Sequence, residues 1–133
     1  MDEALTKRLA RLANASTLRL THYGRRSAKP YEVTIWFLVD GDLIYLATAN
    51  IERQWTRNVQ VHPQVSLRIG NEIFTGHVDV VRDGNEAGHV MELLLRKYWY
   101  VRPLMWLSSW FGSSQKGGTF RVRLDAPSTA SST

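Results

Sequence analysis

The chain has 133 residues, 44% of them hydrophobic and 22% charged, which is enough to build a core without covalent staples. It contains no cysteine, and this excludes disulfides, thiolate catalysis, iron–sulfur clusters and cysteine zinc sites. The net charge is +5, and residues 4 to 31 carry seven Lys or Arg with no Asp or Glu, so an anionic partner competes with a plain solvated basic surface.

The first sixteen residues are charged from position 2 and have no apolar core, so they do not read as a secretory signal. Residues 3–13 read as a short amphipathic helix with Leu5, Leu9 and Leu12 on one stripe. Residues 17–23 alternate as a strand. Next comes Gly24 with a burst of cations and a hydroxyl: Arg25, Arg26, Ser27 and Lys29. A glycine between strands lets successive N–H groups converge on an anion, while Arg and Lys supply charge. Composition alone leaves a solvated turn and an anion cradle equally open. The spacing is not that of a triphosphate-binding loop.

Residues 31–40 are β-branched and aromatic and read as one strand. Tyr31, Val33, Ile35, Phe37 and Val39 share a face; Glu32, Thr34, Trp36 and Leu38 take the other. Both faces turn apolar toward the end, as in a strand covered on two sides. Asp40-Gly41-Asp42 reads as a tight hairpin, with 43–48 as the returning strand. A short helix over 52–60 carries Trp55, Arg57 and Asn58, and Pro63 ends it. A second hairpin turns at Gly70-Asn71. Residues 84–97 read as a helix, and 119–124 as a last strand. The segment 98–112 holds three of the five tryptophans. It suits a barrel lid or a dimer contact, and leaves a peripheral membrane contact open.

Six short strands with tight turns and flanking short helices give a mainly β, α+β fold: a small six-stranded antiparallel barrel. Residues 1–125 are expected to form one domain and 126–133 a disordered tail. His22, His62, His77 and His89 are scattered without ligand spacing, so no metal site is expected, and each is read as a satisfied surface or core residue. No nucleophile elbow is present. Reactive chemistry, if any, would belong to a cofactor. A nucleic-acid or membrane-surface module is disfavoured because the cations gather at a turn instead of tracking a groove.

Residues 18–82, from "LTHYGRRSAKPYEVTIWFLVDGD" through "RQWTRNVQVHPQVSLRIG", resemble the deazaflavin-dependent nitroreductase family of small split barrels, itself related to the pyridoxamine-phosphate oxidase and flavin-reductase barrels. The resemblance implies a cytoplasmic homodimer using coenzyme F420, an 8-hydroxy-5-deazaflavin with a phosphodiester and a polyglutamate tail. The implied reaction is hydride transfer to a nitro compound, quinone or activated alkene. It assigns Arg25, Arg26, Ser27 and Lys29 to the phosphate or tail, completed by Arg57 and Asn58, with Trp55 on the same helix. Thr34, Ile35, Trp36, Thr48, Ala49 and Asn50 would line the ring. Tyr98 and Tyr100 are substrate-side candidates by position. Related barrels bind flavin mononucleotide, haem or fatty acyl ligands, and the alternative reading is a split-barrel protein that binds one of these, with or without turnover. Two departures stand out: Ala28 occupies a place where the family often has Gly, and His62 precedes Pro63 in place of the usual Asn.

Overall fold

A computed structural model describes residues 3–48, 53–98 and 118–125. Within them the order is α1 (Glu3–Leu12), β1 (Leu18–Tyr23), β2 (Pro30–Ile35), β3 (Phe37–Asp40), β4 (Leu43–Thr48), α2 (Gln54–Val61), β5 (Gln64–Ile69), β6 (Glu72–Val80), α3 (Gly84–Lys97) and β7 (Gly118–Leu124). Ala49, Asn50, Tyr100, the aromatic segment beyond Tyr98 and the tail 126–133 lie outside the described residues.

The seven strands form one sheet in the order β2-β1-β5-β6-β7-β4-β3, antiparallel throughout. The strand count corrects the expected six. The run read as one strand breaks at Trp36: its first half pairs with β1 (Leu18 opposite Ile35), its second with β4 (Phe37 opposite Leu46). β2 and β3 thus stand at opposite ends of the strand order yet are one residue apart in the chain. The sheet must curl until its two edges meet at Trp36, which makes it a split barrel.

The core follows from the alternation. Leu18, Leu20, Ile35, Phe37, Ile44, Leu46, Val65, Leu67, Ile69 and Val122 point inward, and Leu5 and Leu9 of α1 close over them. The two-sided covering expected late in the 31–40 run is present. Leu38 and Tyr45 face outward and are buried by Val90, Leu94 and Tyr98 of α3 and its end. Asp83 caps α3, accepting from the Asn85 N–H at 2.9 Å.

The break at Trp36 leaves β3 an edge strand with β4 alone beside it, and the end of α3 meets the Phe37 N–H and carbonyl. The Tyr98 hydroxyl accepts from the Phe37 N–H at 3.3 Å and lies 2.7 Å from the Ser16 carbonyl and 3.1 Å from the Phe37 carbonyl. Lys97 Nζ donates to that same Phe37 carbonyl at 2.9 Å and sits 3.7 Å above the Phe37 ring. The Trp36 ring stacks on Tyr98 with centroids 4.5 Å apart.

Burial pushes the Lys97 ammonium down from 10.5 to about 8. Between those values the unfolded chain holds a proton that the folded chain has released. Raising the pH from about 8 to about 10.5 is therefore expected to stabilise the fold through this group. Lys97→Met should flatten that part of the stability curve in urea titrations. A curve unchanged by the substitution would contradict the buried position.

Candidate functional site

A cleft of about 780 Å³ opens where the end of β1, the loop 24–29, the start of β2 and the first turns of α2 converge. Its cations are Arg25, Arg26 and Arg53, and its apolar wall is Tyr31, Val33 and Trp55, with His22, Gln54 and Asn58 between them.

The loop is held by its own backbone. The Gly24 N–H reaches the Lys29 carbonyl at 3.0 Å, the Ala28 N–H reaches the Gly24 carbonyl at 3.0 Å, and Ser27 Oγ accepts from the Lys29 N–H at 3.2 Å. A Cβ on Gly24 would lie 2.7 Å from Ser27 Oγ, so the glycine permits the tight approach. Ala28 has φ +59°, the left-handed conformation that glycine prefers. The departure from the family pattern thus keeps the glycine-type backbone under some strain. Ala28→Gly is expected to raise stability by about 0.5 kcal/mol, relief of that strain outweighing the added freedom of the unfolded chain. Urea unfolding checks this; a loss of stability would mean that the loop does not hold this geometry.

Asn58 ties the loop to α2. It is buried, and its Oδ1 accepts from the Arg25 backbone N–H at 3.2 Å and from the Arg25 guanidinium at 2.9 Å. The same guanidinium nitrogen reaches Gln54 Oε1 at 3.1 Å. The Asn58 amide nitrogen lies 3.0 Å from His22 Nδ1. His62 Nε2 lies 3.4 Å from the Arg25 carbonyl, so the residue before Pro63 helps hold the loop. Residues 53–55 bring the positive end of α2 to the cleft, with no acidic side chain in that turn to offset it. Glu32, the acidic residue at the rim, is paired with Arg19 at 2.6 Å. Arg8 is likewise absorbed by Glu72, 2.7 Å away, while Arg26 and Lys29 have no ion-pair partner among the described residues.

Of the residues assigned by resemblance, Arg25, Arg26, Ser27, Trp55 and Asn58 line the cleft together. Ile35 is in the core, Thr34 is exposed on β2, and Trp36 covers Tyr98. Thr48 ends β4 opposite Gly118, and Arg57 is exposed on α2. Lys29 is exposed at the foot of the loop. These six are not among the lining residues. Tyr98 is 1% exposed and bonded to backbone. His22, Tyr31 and Arg53 line the cleft and were not singled out in the sequence. Only the stacking of His22 on Tyr31, 5.8 Å apart, reveals them as a pair, and that depends on the register between β1 and β2, His22 opposite Tyr31. Trp55 is both core anchor and cleft wall: it is buried in the main cluster, tilted against Phe120.

Residues 3–100 match the model of a family described as F420H(2)-dependent quinone reductase. The chain belongs to this family. No curated protein matches the sequence at a significant level. The fold is shared with solved structures. A conserved hypothetical protein from Mycobacterium tuberculosis aligns with TM-score 0.71 and 20% identity over 95% of this chain and 82% of its own. An F420-H2-dependent reductase aligns with TM-score 0.64 and 18% identity over 80% and 93%. The heme storage protein HutZ of Vibrio cholerae aligns with TM-score 0.69 and 18% identity over 92% and 91%. At these identities the likeness is one of fold.

As an F420H2-dependent reductase, the protein uses coenzyme F420, and the cleft suits it. The tail is anionic, and the loop, packed closely at Gly24 against Ser27, presents Arg25, Arg26 and Ser27 beside a helix N-terminus. The ring is flat and largely apolar, and Tyr31, Val33 and Trp55 offer a wall of that kind. Among the described residues no His/Asp/Glu cluster could hold a metal ion, and no helix is long and apolar enough to cross a membrane.

Proposed function

We propose that the protein reduces quinones with F420H2, nitro compounds and activated alkenes being further acceptors of the same chemistry. The observation that carries this reading is the cationic loop, locked to α2 by Asn58, facing an apolar wall across one cleft. Bound F420H2 supplies the hydride. The chain's own part is to bind, orient and keep water out. Arg26 and Ser27, exposed at the loop tip, would hold the phosphate or tail. Arg25, braced by Gln54 and Asn58, would set the loop's position as well as its charge. Trp55, Tyr31 and Val33 would keep one side of the reacting pair dry. Arg57 and Lys29, near the loop and helix but outside the cleft lining, would add long-range attraction for the anionic tail.

We assign Tyr98 to the architecture, because its hydroxyl is committed to the Phe37 backbone. A homodimer fits a fold neighbour described as a domain-swapped dimer, and the protein would act in the cytoplasm. Sedimentation at micromolar concentration tests the assembly.

Fluorescence titration tests the cofactor. Trp55 lines the cleft, so a bound chromophore should quench it. F420 is expected to bind with Kd on the order of ten micromolar or tighter, ahead of flavin mononucleotide and haem. Stronger binding of flavin mononucleotide or haem would move the protein to the alternative reading, that of a split-barrel binding protein. Steady-state assays with a naphthoquinone, a nitroimidazole and an enone rank the acceptors.

A further inference from the structure

We propose that His22 is the specificity-determining hydrogen-bond donor of the cleft, offering its Nε2–H to an oxygen atom of the ligand held there. The inference rests on the cleft being the site of F420 and its acceptor. His22 is 5% exposed, yet it borders the cleft.

Asn58 fixes which nitrogen of the ring carries the proton. The Arg25 backbone N–H and guanidinium both converge on one atom of the Asn58 carboxamide, at 3.2 and 2.9 Å. Both groups only donate, so that atom must be the amide oxygen. The amide nitrogen is then the atom 3.0 Å from His22 Nδ1. An amide nitrogen donates and does not accept, so Nδ1 must be the bare acceptor and the ring proton resides on Nε2. Tyr31, stacked on the imidazole at 26°, restrains its plane. Burial acts in the same sense by disfavouring the imidazolium.

Nε2 is left over. It has no hydrogen-bond partner among the described residues. Arg121 Nε is the one side-chain polar atom there that is sealed from solvent without a partner, so His22 Nε2 is not sealed off, and the ring that carries it borders the cleft. A side chain this buried, with one nitrogen tied down by a buried amide and the other open to the cleft, is a donor awaiting an acceptor. Asn58 is a positioning residue: its oxygen is spent on Arg25 and its nitrogen on His22.

A neutral imidazole N–H is too weak an acid to give its proton away at neutral pH. His22 therefore contributes a hydrogen bond and not a proton. The oxygen it meets belongs either to the cofactor or to the acceptor, and two arms of one experiment separate them.

His22→Phe removes the donor; His22→Gln restores an N–H at a similar reach. Wild type and both variants are titrated with F420 by tryptophan fluorescence, then assayed with a soluble naphthoquinone at saturating F420H2. His22→Phe is expected to lose roughly tenfold, the weight of one hydrogen bond, and His22→Gln to recover most of it. A loss in F420 affinity assigns the oxygen to the cofactor. A loss in kcat/KM for the quinone at unchanged F420 affinity assigns it to the acceptor. Equal behaviour of His22→Phe and wild type in both arms overturns the proposal, as does equal impairment of the two variants, which would mean packing alone. Long-range proton–nitrogen NMR of the histidine-labelled apo protein tests the tautomer without any ligand: Nε2-protonated, Nδ1-bare His22 is expected, and a proton on Nδ1 overturns it. If wild type itself takes up no F420, the cofactor reading has failed, and the same variants titrated with flavin mononucleotide decide His22 by the same criteria.

Discussion

Arg26→Ala is expected to weaken F420 binding about tenfold and to leave the melting temperature unchanged; Arg25→Ala should weaken it about a hundredfold and lower the melting temperature as well. The two neighbours differ in what they touch. Arg26 is exposed at the loop tip with no ion-pair or hydrogen-bond partner among the described residues, so its removal subtracts charge from the cleft and little else. Arg25 is half-buried, and its guanidinium spans Gln54 and Asn58. Its loss leaves the buried Asn58 oxygen with only the backbone N–H of residue 25 and loosens the loop from α2. The tenfold figure corresponds to about 1.4 kcal/mol, that of one charge-assisted contact partly screened by water. Both affinities should fall as salt rises, the wild type more steeply than Arg26→Ala. Titrations at two salt concentrations with parallel thermal melts check each of these outcomes. Undiminished F420 affinity in both variants would remove the loop from the site.

Tyr98→Phe is expected to destabilise the fold by about 2 kcal/mol, about 8 °C in melting temperature, with kcat/KM per folded molecule unchanged. The two edges of the sheet meet where β2 ends and β3 begins, and there Phe37 has a strand, β4, on one side only. The Tyr98 hydroxyl accepts the Phe37 N–H and reaches two carbonyls. Phenylalanine would preserve the stacking on Trp36 but strand a buried donor, which costs more than the net worth of the bond it made. Lys97 still serves the Phe37 carbonyl, so the loss concentrates on the N–H. Calorimetry and activity measured on one preparation decide the matter. A collapse of turnover at unchanged melting temperature would return Tyr98 to the chemistry.

Much of this was legible in one dimension. Alternation and turn residues marked the hairpins at Gly41 and Gly70, both of which adopt positive φ. The three-to-four spacing of Leu5, Leu9 and Leu12 marked α1, and the helix read over 84–97 is the range that α3 adopts. The glycine-and-cation turn announced itself by composition, and it does face Asn58 and Trp55 across the cleft. These features are local: each depends on φ, ψ preferences and side-chain periods within a few residues, which the order of amino acids specifies directly.

What the tertiary structure decided is everything that depends on pairing partners. Nothing within residues 31–40 says that the strand must change neighbours at Trp36. The break appears only when β1 and β4 claim its two halves and the sheet closes on itself. The plugging of that seam by Tyr98 joins residues 61 positions apart. His22 looked like one of four scattered histidines. It becomes a buried, oriented donor because β2 lays Tyr31 on one side of it and α2 brings Asn58, 36 residues away, to the other. Arg8 and Arg19, counted with the basic run, turn out to be spent on Glu72 and Glu32, whereas Arg26 has no ion-pair partner among the described residues. The sequence by itself determined the elements, the loop chemistry and the sign of the charge. The closure of the sheet determined which side chains meet, because burial and hydrogen-bond satisfaction are properties of neighbours in space and not of neighbours along the chain.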